Sequence, residues 1–152
     1  MLHEMLALGI CYFLFVVGYT WGLYHLGKTW EPETSDLTQS LPNSADVCIL
    51  LPFRNEERNL AALLPNLLDS LPFAIKVIFI DDHSEDGGVA LIRRFIQAYG
   101  IQNWFVVPSI GQGKKAALNT GVEASHSNII LTIDADISLT KGWIKSMLAP
   151  FN

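Results

Sequence analysis

Four short, almost purely apolar runs punctuate the chain: DVCILL (residues 46–51), KVIFI (76–80), WFVV (104–107) and IILTI (129–133). Runs of this length, bounded by turn or polar residues, are the mark of strands buried on both faces. Between them the apolar residues recur at helical spacing. Strands alternating with helices at this interval build βαβ units and a mostly parallel sheet, an α/β fold. Aspartate is a poor strand former, so the second and fourth strands should end at Asp81-Asp82 and at Asp134-Ala135-Asp136. That places these carboxylates on the edge where open α/β sheets bind ligands.

The first strand is expected to close at Pro52. In the helix after it, Asn55 is a plausible cap, and Glu56 and Glu57 occupy a first turn where carboxylates suit the helix dipole. Leu60, Leu63, Leu64, Leu67, Leu68 and Leu71 form its sheet-facing stripe, with Pro65 predicted to kink or break it. Ser84 can cap the second helix, whose face is Leu91, Ile92, Phe95, Ile96 and Tyr99 and which closes at Gly100. Gly111-Gln112-Gly113 leads into a third helix from about Lys114 to Ala124. The last helix is predicted to begin near Lys141 and to present Trp143, Ile144, Met147 and Leu148.

The amino-terminal stretch is of another kind. Residues 5–27 contain no Asp, Glu, Lys or Arg, and roughly 23 residues at 1.5 Å rise span about 35 Å, enough for a tilted helix across a bilayer. A cleaved signal peptide would carry basic residues first and a shorter apolar core. Residues 1–28 are therefore expected to be an uncleaved, single-pass transmembrane anchor, with Trp21, Tyr24 and Trp30 as an aromatic belt. Lys28 is the only Lys or Arg near either end, so charge leaves the orientation open. Residues 29–45 read as a polar linker and 46–152 as the folded domain. The two cysteines, Cys11 and Cys48, cannot pair, which leaves no disulfide framework and no metal–thiolate site and fits a cytoplasmic domain. With a net charge of −5 and no basic stripe, nucleic-acid binding has no support.

Polar clusters follow three of the strands: Arg54-Asn55-Glu56, Asp81-Asp82-His83-Ser84 and Asp134-Ala135-Asp136. Lys114-Lys115 enters from the glycine-flanked helix start. Carboxylates that can hold a divalent cation, with lysines at a helix amino terminus, suit a pyrophosphate-plus-metal site. Other motifs fail at particular positions. Residues 82–87 (DHSEDG) open like an EF-hand loop, but Arg93 stands where the bidentate Glu belongs. GQGKKA is no phosphate-binding Walker loop, because Pro108 replaces its first Gly and Lys115 its Ser or Thr. No G-x-G-x-x-G follows the first strand and no G-x-S-x-G occurs. His83, in a loop beside two aspartates, reads as a hydrogen-bonded surface group rather than a base.

Taken together, LPFRNEERNL, VIFIDDHSEDG, GKKAALNTGVEAS and LTIDADISLTKGWI resemble, in order and spacing, the amino-terminal half of a family 2 glycosyltransferase of the GT-A fold. The anchor resembles that of membrane-bound members. The resemblance implies a Rossmann-like sheet in the order 3-2-1-4, consistent with right-handed crossovers. It implies that Pro52, Arg54 and Glu56 line the nucleoside pocket, that Asp82 accepts from the base N3–H, and that Asp81 supports the loop. Lys114 would sit near the base or the phosphates and Asp134 near the ribose and diphosphate. Asp136, with Asp134 beside it, would hold Mg²⁺ or Mn²⁺ against the diphosphate of a nucleotide-sugar, by family habit a UDP-sugar. The acceptor would be a saccharide or a lipid.

Inverting transfer by such enzymes uses a carboxylate base that lies, in the family, beyond the segments matched here, and the Q-x-x-R-W motif of processive members is absent. Two readings therefore stand. One is a membrane-anchored, metal-dependent, inverting glycosyltransferase. The other is a truncated, non-catalytic nucleotide-binding module or pseudoenzyme.

Overall fold

The computed structural model describes residues 2–29, 46–72 and 74–151. The chain divides into two compact units, Met1–Ser35 and Asp36–Asn152. Trp30 and nearly all of the expected linker lie outside the described residues.

In the first unit, α1 (Leu2–Thr29) is a single helix whose stretch Leu8–Lys28 is long and apolar enough to cross a membrane. Thr20, inside the apolar run, turns its hydroxyl back to the carbonyls of Val16 (2.8 Å) and Val17 (3.0 Å), so this hydroxyl is satisfied within the helix. Lys28 lays its ammonium over the Tyr24 ring, 5.3 Å from the centroid.

The second unit is a four-stranded parallel sheet of β1 (Val47–Phe53), β2 (Lys76–Asp81), β3 (Trp104–Pro108) and β4 (Ile129–Thr132), ordered β3-β2-β1-β4. This is the expected order. Central β1 pairs Leu50 with Ile78 on one side and with Thr132 on the other. It does not close at Pro52 but continues to Phe53, opposite Asp81. The Leu50 carbonyl accepts from the Ile133 N–H (3.0 Å), so Leu50 turns its backbone polar groups toward β4. Pro52, two residues on, turns the same way, toward a strand that has already ended at Thr132. Its missing N–H thus faces no ladder, and the strand tolerates it.

Side chains alternate across the sheet. Ile49, Leu51, Phe53, Val77 and Phe79 join the larger core with Leu60, Leu63, Leu64 and Leu67 of α2 (Glu57–Ser70), Ile92 of α3 (Gly88–Tyr99) and Ile144 and Leu148 of α5 (Trp143–Leu148). Cys48, Leu50, Ile78 and Ile80 face the other way, against Ala117 of α4 (Lys114–Ser125). Gly121 lets α4 approach: a Cβ there would meet Ile80 Cδ1 at 2.9 Å and Leu50 at 3.1 Å. Burial pushes the Cys48 thiol up to about 11, a shift that the nearby Lys76 charge partly offsets, so Cys48 is an inert core group.

Three local expectations are corrected. The helix α2 runs unbroken through Pro65. Buried leucines on both sides of the proline hold the helix to the sheet, while Ala61, whose carbonyl loses its partner, is exposed to water. Neither Asn55 nor Ser84 caps a helix. Their side chains bind the neighbouring loop, and α2 and α3 start at Glu57 and Gly88 without a cap from their own N-cap residues. The last helix starts at Trp143, two residues late, because Gly142 before it is left-handed (φ 82°). Gly100 does end α3 in a left-handed cap, its N–H and that of Ile101 returning to Gln97 and Ile96.

Because α2 keeps its helix in spite of Pro65, replacing that exposed residue by Ala should restore one helix hydrogen bond. Proline costs about 3 kcal/mol in a helix interior, partly offset by the rigidity it lends the unfolded chain. A net stabilisation of about 1–2 kcal/mol is expected for Pro65→Ala in denaturant unfolding of the full chain. A lower midpoint would mean that the proline is itself a packing feature.

Candidate nucleotide site

At the carboxyl edge of the sheet lies a cleft of about 250 Å³. From the end of β1 and the turn after it come Pro52, Phe53, Arg54 and Glu56. Asp82 enters from the end of β2, Lys114 from the first turn of α4, and Asp134, Ala135 and Asp136 from the turn after β4. Parallel register makes this convergence: Phe53 lies opposite Asp81, and β4 stops level with Leu50. Every residue that the resemblance implied for donor binding is on this wall except Asp81. That side chain turns back to accept the Ser84 N–H at 2.9 Å.

Asp82 is buried, 6 % exposed. Its two carboxylate oxygens accept the Gly113 N–H at 2.9 and 3.0 Å, pinning the glycine turn (φ 89°) from which α4 starts. The backbone N–H of Asp82 in turn binds the Phe53 carbonyl (2.9 Å). Asp82 thus holds three elements together while presenting a carboxylate to the cleft. His83 Nδ1 lies 3.4 Å from Asp82 Oδ1. Lys114 Nζ pairs with Asp134 Oδ1 at 2.6 Å across the cleft mouth; both side chains are more than half exposed, so this ion pair contributes little and is easily exchanged. Glu56 accepts from Asn59 Nδ2 at 2.5 Å.

Among the described residues, Asp136 is then the one carboxylate on the wall with no hydrogen-bond or ion-pair partner, and Arg54 the one such cation. The wall carries four carboxylates, Glu56, Asp82, Asp134 and Asp136, against two cations, Arg54 and Lys114. An anionic ligand would be repelled unless a cation came with it. Among the described residues no group of three or more His, Cys, Asp or Glu side chains is placed to hold a metal unaided. Two adjacent hard oxygen donors, to be completed by ligand oxygens and water, suit Mg²⁺ or Mn²⁺ rather than a thiolate-seeking metal.

Sequence reasoning missed Phe53 and Ala135 on the wall, and the part played by Gly113, Glu57 and Asp86. The carboxylates of the last two accept backbone N–H groups across the two loops: the Glu57 N–H binds Asp86 Oδ2 (2.8 Å) and the Gly87 N–H binds Glu57 Oε2 (3.1 Å). The available signal was an Asp immediately before two helix-starting glycines, a capping position that serves both helices.

A parallel α/β sheet with acidic and basic groups gathered at its carboxyl edge defines an open α/β domain of the kind that binds ligands at that edge. Residues 48–152 match the model of glycosyl transferase family 2, and the chain belongs to that family. The chain is 35% identical over 94 residues to an undecaprenyl-phosphate 4-deoxy-4-formamido-L-arabinose transferase of Aeromonas hydrophila, an alignment covering 60% of this chain and 29% of that protein. Among solved structures it is similar to the mannosyltransferase PcManGT from Pyrobaculum calidifontis in complex with GDP-Man and Mn²⁺. That likeness has a TM-score of 0.73 and 22% identity, and covers 88% of this chain and 39% of the other. It is also similar to TarS of S. aureus in complex with UDP-GlcNAc (TM-score 0.56, 23% identity, 68% of this chain and 30% of that one). The fold is the amino-terminal part of GT-A, and the chain spans about a third of the length of the curated relatives it matches.

The Asp82–Gly113 contact makes a local prediction. Asp82→Ala should speed amide hydrogen exchange at Gly113 in the full chain while leaving the interior of α4 protected. Unchanged exchange at Gly113 would mean that the glycine turn is held by other contacts.

Proposed function

We propose that this chain supplies the donor-binding half of a membrane-anchored, metal-dependent, inverting glycosyltransferase. The observation that carries the reading is the unpartnered Asp136, beside Asp134, in a cleft otherwise built of satisfied carboxylates. The donor is a nucleotide-diphosphate sugar, expected to be a UDP-sugar. Pro52, Arg54, Glu56 and Asp82 form the nucleoside end, with the base N3–H directed to Asp82 and Asp81 bracing the loop behind it. Asp134 and Asp136 would hold Mg²⁺ or Mn²⁺, which when bound neutralises the leaving diphosphate. Lys114 is free to leave Asp134 for a phosphate oxygen, because the pair it abandons is exposed and weak.

The acceptor is a lipid or a saccharide, and the Aeromonas relative, whose name includes undecaprenyl phosphate, favours a lipid phosphate. An apolar α1 would keep the domain at the membrane surface where such an acceptor lies. Transfer breaks the anomeric carbon–oxygen bond of the donor, and its electron pair leaves on the diphosphate. An acceptor oxygen attacks the opposite face, which inverts the anomeric centre. A phosphate monoester, with its second pKa near 6, arrives already ionised, so this acceptor needs no carboxylate base. A sugar hydroxyl would need one.

Calorimetry on the full chain in detergent micelles tests the donor half, with UDP, GDP and Mn²⁺ as probes. Mn²⁺ is expected to raise the affinity for UDP, and UDP the affinity for Mn²⁺, by the same factor. Asp136→Asn keeps the shape and removes the charge. It should abolish that coupling and leave weak nucleotide binding. Equal UDP affinity with and without Mn²⁺ would overturn the metal assignment, and no binding of either nucleotide would overturn the donor reading. Coupled binding without sugar transfer is the outcome that the non-catalytic alternative expects.

A further inference from the structure

Four hydrogen bonds join the turn after β1 to the turn after β2, and they form two reciprocal pairs. The Asn55 N–H binds Ser84 Oγ (3.0 Å), while Asn55 Oδ1 accepts the Glu85 N–H (2.7 Å). The Glu57 N–H binds Asp86 Oδ2 (2.8 Å), while Glu57 Oε2 accepts the Gly87 N–H (3.1 Å). Asp86 Oδ1 also accepts the Gly88 N–H (3.0 Å), so one carboxylate serves the first residues of both α2 and α3. Asn55 sits in the left-handed region (φ 56°), as does His83 (φ 60°). Neither is a glycine, and the contacts around them hold both turns in that sparsely used conformation.

None of Asn55, Glu57, Ser84 and Asp86 lines the cleft, yet the groups that do are their chain neighbours. Arg54 and Glu56 flank Asn55. Asp82 lies two residues before Ser84, whose own N–H is held by Asp81. The β1–β2 ladder, with the Asp82 N–H on the Phe53 carbonyl, fixes the strand ends. Beyond them this double exchange joins the two turns that carry Arg54 and Glu56 on one side and follow Asp82 on the other. Carboxylates at two helix amino termini also suit the positive ends of those helices, which favours Asp and Glu there over neutral caps.

We infer that Asn55, Glu57, Ser84 and Asp86 are positioning residues, a reciprocal clasp that pre-organises the nucleoside end of the cleft and sets nucleotide affinity without touching the nucleotide. The affinity part rests on the donor-binding reading above. The clasp itself does not.

Two measurements on the full chain in detergent micelles separate the parts. In amide hydrogen exchange without ligand, Asp86→Ala removes the acceptors of Glu57 and Gly88. A clasp requires exchange to speed also at Asn55, Glu85 and Gly87, whose own acceptors are untouched. Acceleration confined to Glu57 and Gly88 would reduce the arrangement to independent caps and overturn the clasp. In UDP titrations the variants are made at Glu57, an exposed residue whose replacement leaves the core intact. Glu57→Ala should weaken UDP on the order of tenfold, the scale of a lost cap or pre-organising contact. Glu57→Gln keeps an amide oxygen for the Gly87 N–H and should restore affinity to within about twofold of the original. The factor by which Mn²⁺ strengthens UDP should stay unchanged in both, because Asp134 and Asp136 follow β4. General loosening would lower that factor as well. UDP affinity unaltered in Glu57→Ala, or no rescue by Gln, would overturn the positioning role. If the unsubstituted chain binds no nucleotide, the donor reading fails while the exchange experiment still decides the clasp.

Discussion

The burial of β1 is the constraint on which the rest of the second unit depends. Val47 to Leu51 have no exposed surface, and the strand is hydrogen-bonded to parallel neighbours on both sides. A backbone so enclosed can satisfy its polar groups only in the ladder, and its side chains can only be apolar. Charged groups of this segment can appear only after the strand ends. Parallel pairing then brings the ends of β2 and β4 to the same edge, and the acids and bases that follow them meet there.

Crowding acids has an electrostatic cost, and the structure meets most of it with backbone donors. Asp81 takes the Ser84 N–H, Asp82 the Gly113 N–H, and Asp86 the N–H groups of Glu57 and Gly88. Each such bond satisfies a carboxylate; those of Asp82 to Gly113 and of Asp86 to Glu57 also tie one loop to another, while those to Ser84 and Gly88 close the local turn. Asp136 stands apart because no donor among the described residues reaches it, and its carboxylate is exposed to water at the cleft.

The helix α2 shows how far packing overrides local preference. Proline inside a helix is unfavourable by itself, yet Leu60, Leu63, Leu64 and Leu67 are all buried around Pro65. At about 1.5–3 kcal/mol for each large side chain buried, this face outweighs the penalty of about 3 kcal/mol for the proline. In the same way the turns after β1 and β2 hold Asn55 and His83 at positive φ through contacts between segments about 30 residues apart in the chain.

By itself the sequence determined the alternation of buried strands and amphipathic helices, the strand order implied by right-handed crossovers and family resemblance, and the residues of the acidic edge. These features were legible because a buried strand and a helical stripe are local patterns of apolar residues, and because aspartates mark where a strand must stop. The apolar α1 was legible for the same reason. Only the tertiary structure decided what the polar side chains bind. Asn55 and Ser84, read as helix caps, join two loops; Asp82, read as a base acceptor, also holds Gly113; Glu57 and Asp86 serve each other's helices. A hydrogen bond is a matter of ångströms between groups that the chain order leaves far apart. Hydrophobic periodicity places whole elements on a face of the sheet, but it carries no information about which donor will stand opposite which acceptor.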